Sequence, residues 1–170
     1  MDNRSPALAR DFPSKPQLLQ AIRLIGSEIE KQPLKSSSLA RIMRESFGGS
    51  DAGGAWSWRM AYDLMQAATV TAIMRDSGSD ALATARLLAS RLLTETRRSE
   101  EQIRLQQFST PLPYAALAIR AAAIRPGETV LEPSAGTGAL AGFAVCAGGK
   151  PMLNEIDPFR RALLEAVFRG

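Results

Sequence analysis

The feature that most constrains this chain is Thr129-Val130-Leu131-Glu132-Pro133-Ser134-Ala135-Gly136-Thr137-Gly138-Ala139-Leu140. Val130 and Leu131 suit a buried parallel strand. Ser134 to Gly138 are small, so a ligand can come close to the backbone, and Gly136 and Gly138 accept positive φ without a Cβ clash. A helix beginning after Gly138 points its first N–H groups at whatever sits in the turn. Strand, glycine turn and helix in this order cradle a nucleotide-bearing ligand. Gly136-Thr137-Gly138-Ala139-Leu140-Ala141 also fits the dinucleotide pattern of three spaced small residues, which by itself discriminates little.

Three further features point to S-adenosylmethionine rather than a dinucleotide. Glu132 places a carboxylate at the strand end, which suits a cationic sulfonium and opposes a pyrophosphate. A second strand, read over Met152-Leu153-Asn154-Glu155-Ile156-Asp157, ends in acids about 20 residues after the glycines, the spacing at which an acid meets a ribose hydroxyl. Phe108-Ser109-Thr110-Pro111 precedes a helix upstream.

Phe-Ser-Thr-Pro, then Leu-Glu-Pro-Ser-Ala-Gly-Thr-Gly, then Asn-Glu-Ile-Asp-Pro resembles motifs X, I and II of amino-group DNA methyltransferases of the adenine-N6 kind. Phe47 to Trp56, Thr96 to Glu101 and Gln106 to Pro113 resemble the N-terminal part of large proteins that join a methyltransferase-like domain to a strawberry-notch-type helicase. The resemblance covers roughly residues 35 to 170. It implies a mostly helical α/β fold: an N-terminal helical region, then an incomplete Rossmann-like βαβ unit of a class I S-adenosylmethionine-dependent methyltransferase. DNA is the partner it implies. The cofactor residues it implies are Phe108, Thr110, Glu132, Ser134, Ala135, Gly136, Gly138, Glu155 and Ile156. Among them Glu155 takes the ribose hydroxyls, because two carboxylate oxygens can accept from both. Thr110 helps hold the methionine end and Phe108 walls the pocket. Asp157 competes for the ribose, but as the residue before Pro158 it also suits a helix N-cap.

The chain departs from the family after motif II. Amino-methyltransferases steady the charge developing on the exocyclic amine with an Asn/Asp-Pro-Pro-Tyr/Phe loop, against which a flipped base stacks. No such run exists here, and no helicase P-loop or Asp-Glu-Ala-His box either. Gly148-Gly149-Lys150 lacks the leading spacing and trailing hydroxyl of a P-loop. Two parallel strands do not form an independently stable sheet. The expectation is therefore the cofactor-binding opening half of a methyltransferase domain, without catalytic residues of its own, as a fragment, a truncated gene product or a split subunit completed by another chain. Two other readings stay open: a non-catalytic interaction protein that keeps the family's helical region, and a dinucleotide-binding module.

Composition limits the chemistry further. There is no histidine, which removes His-based metal sites and Ser-His or Cys-His catalysis. The single Cys146 excludes a disulfide framework, fits a cytoplasmic protein and reads as a small buried helix residue. No apolar run approaches a membrane span and the N-terminus does not open as a signal peptide. The net charge of +4 permits nucleic acid without forming a basic stripe.

Residues 1–13 read as a disordered lead, 14–107 as the helical region and 108–170 as the methyltransferase half. Ser14-Lys15-Pro16-Gln17 is a capping box opening a helix to about Lys31, with Leu18, Ile22, Ile25 and Ile29 on one face. Ser36 to Ser38 offer a second N-cap, before a helix stopped by Phe47-Gly48-Gly49. Trp56 and Trp58 open a long helix to about Asp76, striped by Trp58, Tyr62, Met65, Thr69 and Ile73. The tryptophans suit either a base-stacking platform or packing between helices, and their spacing favours packing. A helix from Asp80 to Arg97 follows, then a capping box at Ser99 and a short helix to Gln107, then a helix from Pro113 to Ile124. Arg97 and Arg98 suit a helix C-terminus or a phosphate.

Overall fold

The computed structural model describes residues 12–76, 80–95 and 109–169. Seven helices and two strands lie among them: α1 Lys15–Lys31, α2 Ser36–Phe47, α3 Trp58–Arg75, α4 Ala81–Arg91, α5 Leu112–Ala122, β1 Thr129–Glu132, α6 Ala139–Cys146, β2 Lys150–Leu153 and α7 Pro158–Phe168. The architecture is mostly helical, with one small parallel sheet. The capping box at Ser99, the helix to Gln107 and the Arg97-Arg98 pair fall outside the described residues, as do residues 1–11 of the expected lead. Phe12 meets the ring of Phe159 edge-on, centroids 6.1 Å apart.

The helix ends follow local chemistry. Gln17 Oε1 accepts from the Ser14 N–H at 3.0 Å, the reciprocal arm of the capping box. Ser57 caps α3, its hydroxyl accepting from Met60 N–H at 3.2 Å, so the helix begins after Trp56 rather than at it. Asp80 caps α4 through Leu82 N–H at 3.0 Å. That helix ends at Arg91, six residues before the expected end, and tertiary contacts explain why. The Arg91 guanidinium donates to the carbonyls of Ile29 and Glu30 at the end of α1, while the Arg91 carbonyl accepts from Leu34 N–H. One residue thus ties two helix ends and turns the chain away.

α3 is the central element. Its sequence predicted one apolar stripe, yet Ala61, Leu64, Ala67, Ala68 and Val70 are buried as well as Tyr62, Met65, Thr69 and Ile73. The alanines let neighbours approach on the remaining faces: α1 packs on one side of α3, and α6 and α7 on another. At the α3–α6 crossing a Cβ on Gly142 would sit 2.9 Å from Val70 Cγ1, so only glycine permits this approach. One hydrophobic core consequently runs from Leu18 and Ile25 in α1, through Leu64 and Met65 in α3, to Phe143 in α6 and Leu163 in α7. It crosses the sequence boundary between residues 107 and 108 without a break.

Trp56 is 2% exposed, and Trp58 stacks edge-on against it at 5.5 Å and donates to Asp51 Oδ2. The pair therefore packs between elements, as its spacing indicated. Cys146 differs from expectation: it lies exposed, its thiol donating to the Ile73 carbonyl at 3.3 Å.

β1 and β2 pair in parallel, with Leu131 opposite Met152 and Glu132 opposite Leu153. α6 connects them. The second strand ends at Leu153, earlier than the sequence indicated, and Asn154 and Glu155 lie in the loop beyond it. Leu131 and Met152 are 69% and 60% exposed, so no described element covers that face of the sheet. No helix among the described residues is long and apolar enough to cross a membrane.

Candidate functional site

The turn from Pro133 to Gly138 is fixed by the loop that follows β2. Ala135 N–H donates to the Asn154 carbonyl at 2.9 Å, and Asn154 N–H donates back to the Glu132 carbonyl at 2.9 Å. The Asn154 side chain donates to the Pro133 carbonyl at 2.9 Å. Gly138 N–H closes the turn onto the Ala135 carbonyl at 2.8 Å. These bonds satisfy backbone groups that a strand end would otherwise leave unpaired.

The two glycines serve different ends. Gly138, with φ +91°, is the residue before α6, and a Cβ there would lie 2.7 Å from Phe168 Cε2, so close packing by α7 requires glycine. Gly136 has φ +56°, and nothing lies within 4 Å of where its Cβ would be. The open space at Gly136 is what a ligand resting on the turn backbone needs. The left-handed backbone there favours glycine independently of any ligand.

Glu155 faces this turn. Its Oε2 accepts from Gly136 N–H at 2.7 Å and its Oε1 from Asp157 N–H at 2.8 Å. Both oxygens are partly used, yet a carboxylate offers about four acceptor positions, so each retains one for a ligand hydroxyl. Ile156 beside it is 81% exposed. Glu132 ends β1 half-buried, with one oxygen 3.3 Å from Ser134 N–H. Ser134 and Thr110 are exposed and Ala135 is buried. Phe108 lies outside the described residues.

Asp157 has the capping role. Its Oδ1 accepts from Phe159 N–H at 2.9 Å and Arg160 N–H at 3.0 Å, and its other oxygen meets Arg59 of α3. Burial alone would raise its carboxyl, but the Arg160 N–H and the Arg59 guanidinium reverse this and hold it below the usual carboxylate range. Asp157 is thus committed to structure, which leaves Glu155 as the acid facing the turn.

Two features escaped the sequence. Gln66, in the middle of α3, accepts through Oε1 from the hydroxyls of both Ser109 and Thr137, the latter at 2.9 Å. A cavity of about 350 Å³ adjoins this junction, bordered by Gln66, Thr110, Thr137 and Leu112. The second is a buried ion pair. Arg160 Nε and Nη2 both reach Asp63 Oδ1, at 3.0 and 2.9 Å, with both side chains at most 5% exposed. Burial pushes the Asp63 carboxyl up while Arg160 pulls it down, and the net direction is upward. Its Oδ2 is buried with no partner among the described residues, which agrees with that direction. No periodicity or motif signals either feature, because each joins residues distant in sequence.

The described residues expected to touch a cofactor are linked through the glycine turn, although Thr110 and Glu155 border different cavities. Glu155 holds the glycine turn from the β2 side, and Gln66 brings the Ser109–Thr110 segment to it from the α3 side. Among the described residues no group of three or more acids and thiols could hold a metal ion. Comparison with protein-family models, with curated proteins and with solved structures finds no match for this chain.

Proposed function

We propose that this chain is the S-adenosylmethionine-binding portion of a DNA adenine-N6 methyltransferase-like protein, with β1, α6 and β2 forming the opening of a Rossmann-like unit. The observation that carries this reading is the meeting of Glu155 with the Gly136–Gly138 turn, beside open space at Gly136. The reading is supported by hydrogen bonds that tie the segment of the motif I resemblance to Glu155 on one side and, through Gln66, to Ser109 on the other. The residues fit the cofactor: the remaining acceptor positions of Glu155 would receive the ribose hydroxyls, exposed Ile156 would lie against the adenine, and Glu132 would favour the sulfonium. The cofactor, when bound, supplies an electrophilic methyl group. The residues of this chain bind and orient it, and its sequence holds no Asn/Asp-Pro-Pro-Tyr/Phe run to grip a target base.

Among the described residues β1 has an unpaired edge and the Leu131–Met152 face is uncovered, which supports pairing of that edge with a further strand and packing of another layer on that face. A non-catalytic interaction protein is the second reading, favoured by that same exposed apolar face.

The cofactor reading is tested by calorimetry with S-adenosylmethionine and, in parallel, NAD. Saturable binding of the first alone is expected. Glu155→Ala is expected to weaken it by about 1.5–3 kcal/mol, the value of hydrogen bonds to a charged group. The same affinity in wild type and mutant would remove Glu155 from the site, and tighter binding of NAD would favour a dinucleotide module.

A further inference from the structure

We propose that Gln66 is a positioning residue of the candidate cofactor site, and that its amide oxygen is the tie through which the helical region holds the two halves of that site in register. The proposal rests on the cofactor reading above for its ligand, but the tie itself is a matter of the protein alone. Ser109 directly precedes Thr110, and Thr137 lies between Gly136 and Gly138. Among the described residues no backbone hydrogen bond joins the two segments, and both hydroxyls converge on the same Gln66 Oε1. An amide oxygen has two acceptor positions, so one side chain can serve both donors without competition.

Thr137 is 4% exposed, so its hydroxyl depends on Gln66 for an acceptor rather than on water. The turn is thereby held from two sides: Glu155 takes the Gly136 N–H from the β2 loop, and Gln66 takes the Thr137 hydroxyl from α3. Gln66 is itself fixed, because its helix packs on α1, α6 and α7. The cavity of about 350 Å³ opens at this junction, with Thr110 and Thr137 both on its wall. Movement of either segment alters this cavity, which meets the turn at Thr137. The helical region is on this account part of the binding apparatus rather than an appendage to it, and Gln66 acts through the Ser109 and Thr137 hydroxyls that it holds.

The test compares wild type with Gln66→Leu, which removes the acceptor at similar volume, and Gln66→Glu, which retains it. Hydrogen exchange is read at Tyr114 and Ala115, whose N–H groups bond the Pro111 carbonyl, and at Gly138 and Gly142 beyond the turn. Gln66→Leu is expected to speed exchange at both sets about tenfold, as for loss of one hydrogen bond at each segment. Gly48, at the far end of α2, serves as the unaffected reference. Gln66→Glu is expected to restore the wild-type rates. The dissociation constant for S-adenosylmethionine should rise about tenfold in Gln66→Leu and recover in Gln66→Glu. Unchanged exchange in Gln66→Leu, a change confined to one segment, or failure of Gln66→Glu to rescue would each overturn the tie. If wild type ignores S-adenosylmethionine while exchange responds as described, the tie stands and the cofactor reading fails.

Discussion

Replacing Arg160 with leucine is expected to cost about 3–5 kcal/mol of folding stability at neutral pH, the usual cost of leaving a buried charge without its partner. Asp63 and Arg160 join α3 to α7 across a dry contact, so the loss acts on the junction between the helical region and the β1–α6–β2 unit. Asp63 already has one oxygen without a partner among the described residues, and Arg59, whose charge also reaches it, is engaged by Asp157. Replacing both residues with leucine is expected to cost less than either single change, since no charge is then left buried. The pH dependence is distinctive. Without Arg160 the Asp63 carboxyl rises further above its unfolded value, so the folded protein prefers it protonated. The penalty is then full at neutral pH and fades as pH falls through the raised folded value toward the unfolded one. Urea unfolding at pH 7 and near pH 4.5 measures both effects. A cost below 1 kcal/mol at pH 7, or a cost that grows on acidification, would show that this pair is not the buried link described.

The chain of 170 residues is expected to transfer no methyl group to DNA on its own. Positioning and electrostatic stabilisation supply most of the rate in such a transfer. A bound cofactor without acceptors for the amine and without a pocket for the flipped base gains little of either. Of the acids around the turn, Asp157 caps α7 and pairs with Arg59, and Glu155 braces the glycine turn with its remaining acceptor positions assigned to the ribose hydroxyls. With no histidine in the chain, another general base of that kind is not available. Tritiated S-adenosylmethionine incubated with mixed-sequence duplex and single-stranded DNA should leave the DNA at background. Incorporation that disappears on Gly136→Val would mean that residues of this chain complete the catalytic site, contrary to this account.

The parts of the fold that were legible in the sequence are those set by local chemistry. The capping box at Ser14, the periodic apolar face of α1 and the glycine turn each depend on residues within a few positions of one another. The end of β2 was misread because Asn154 and Glu155 continue an extended sequence pattern but are drawn out of the ladder by bonds to the turn about twenty residues earlier. The end of α4 was misread because Arg91 is recruited by the end of α1. Cys146 resembled a buried residue, and it does reach α3 through the Ile73 carbonyl, yet as the last residue of α6 it stays exposed. Within the candidate site, Glu155 and the two glycines were identifiable from spacing. Gln66 was not: at its position in α3 a glutamine is an ordinary helix residue, and only the fold brings Ser109 and Thr137 to it. Asp63 and Arg160 were hidden for the same reason.

The central claim is that the turn between β1 and α6 receives S-adenosylmethionine with Glu155 at its side. Titrating the labelled protein with that cofactor, while following backbone amide resonances, tests it residue by residue. Saturable shifts are expected at Gly136, Gly138, Glu155 and Ile156, with none at those positions on adding NAD. Shifts confined to the separate cavity of about 490 Å³ between α3, α5 and α6, or no saturable shift at the turn, would contradict it.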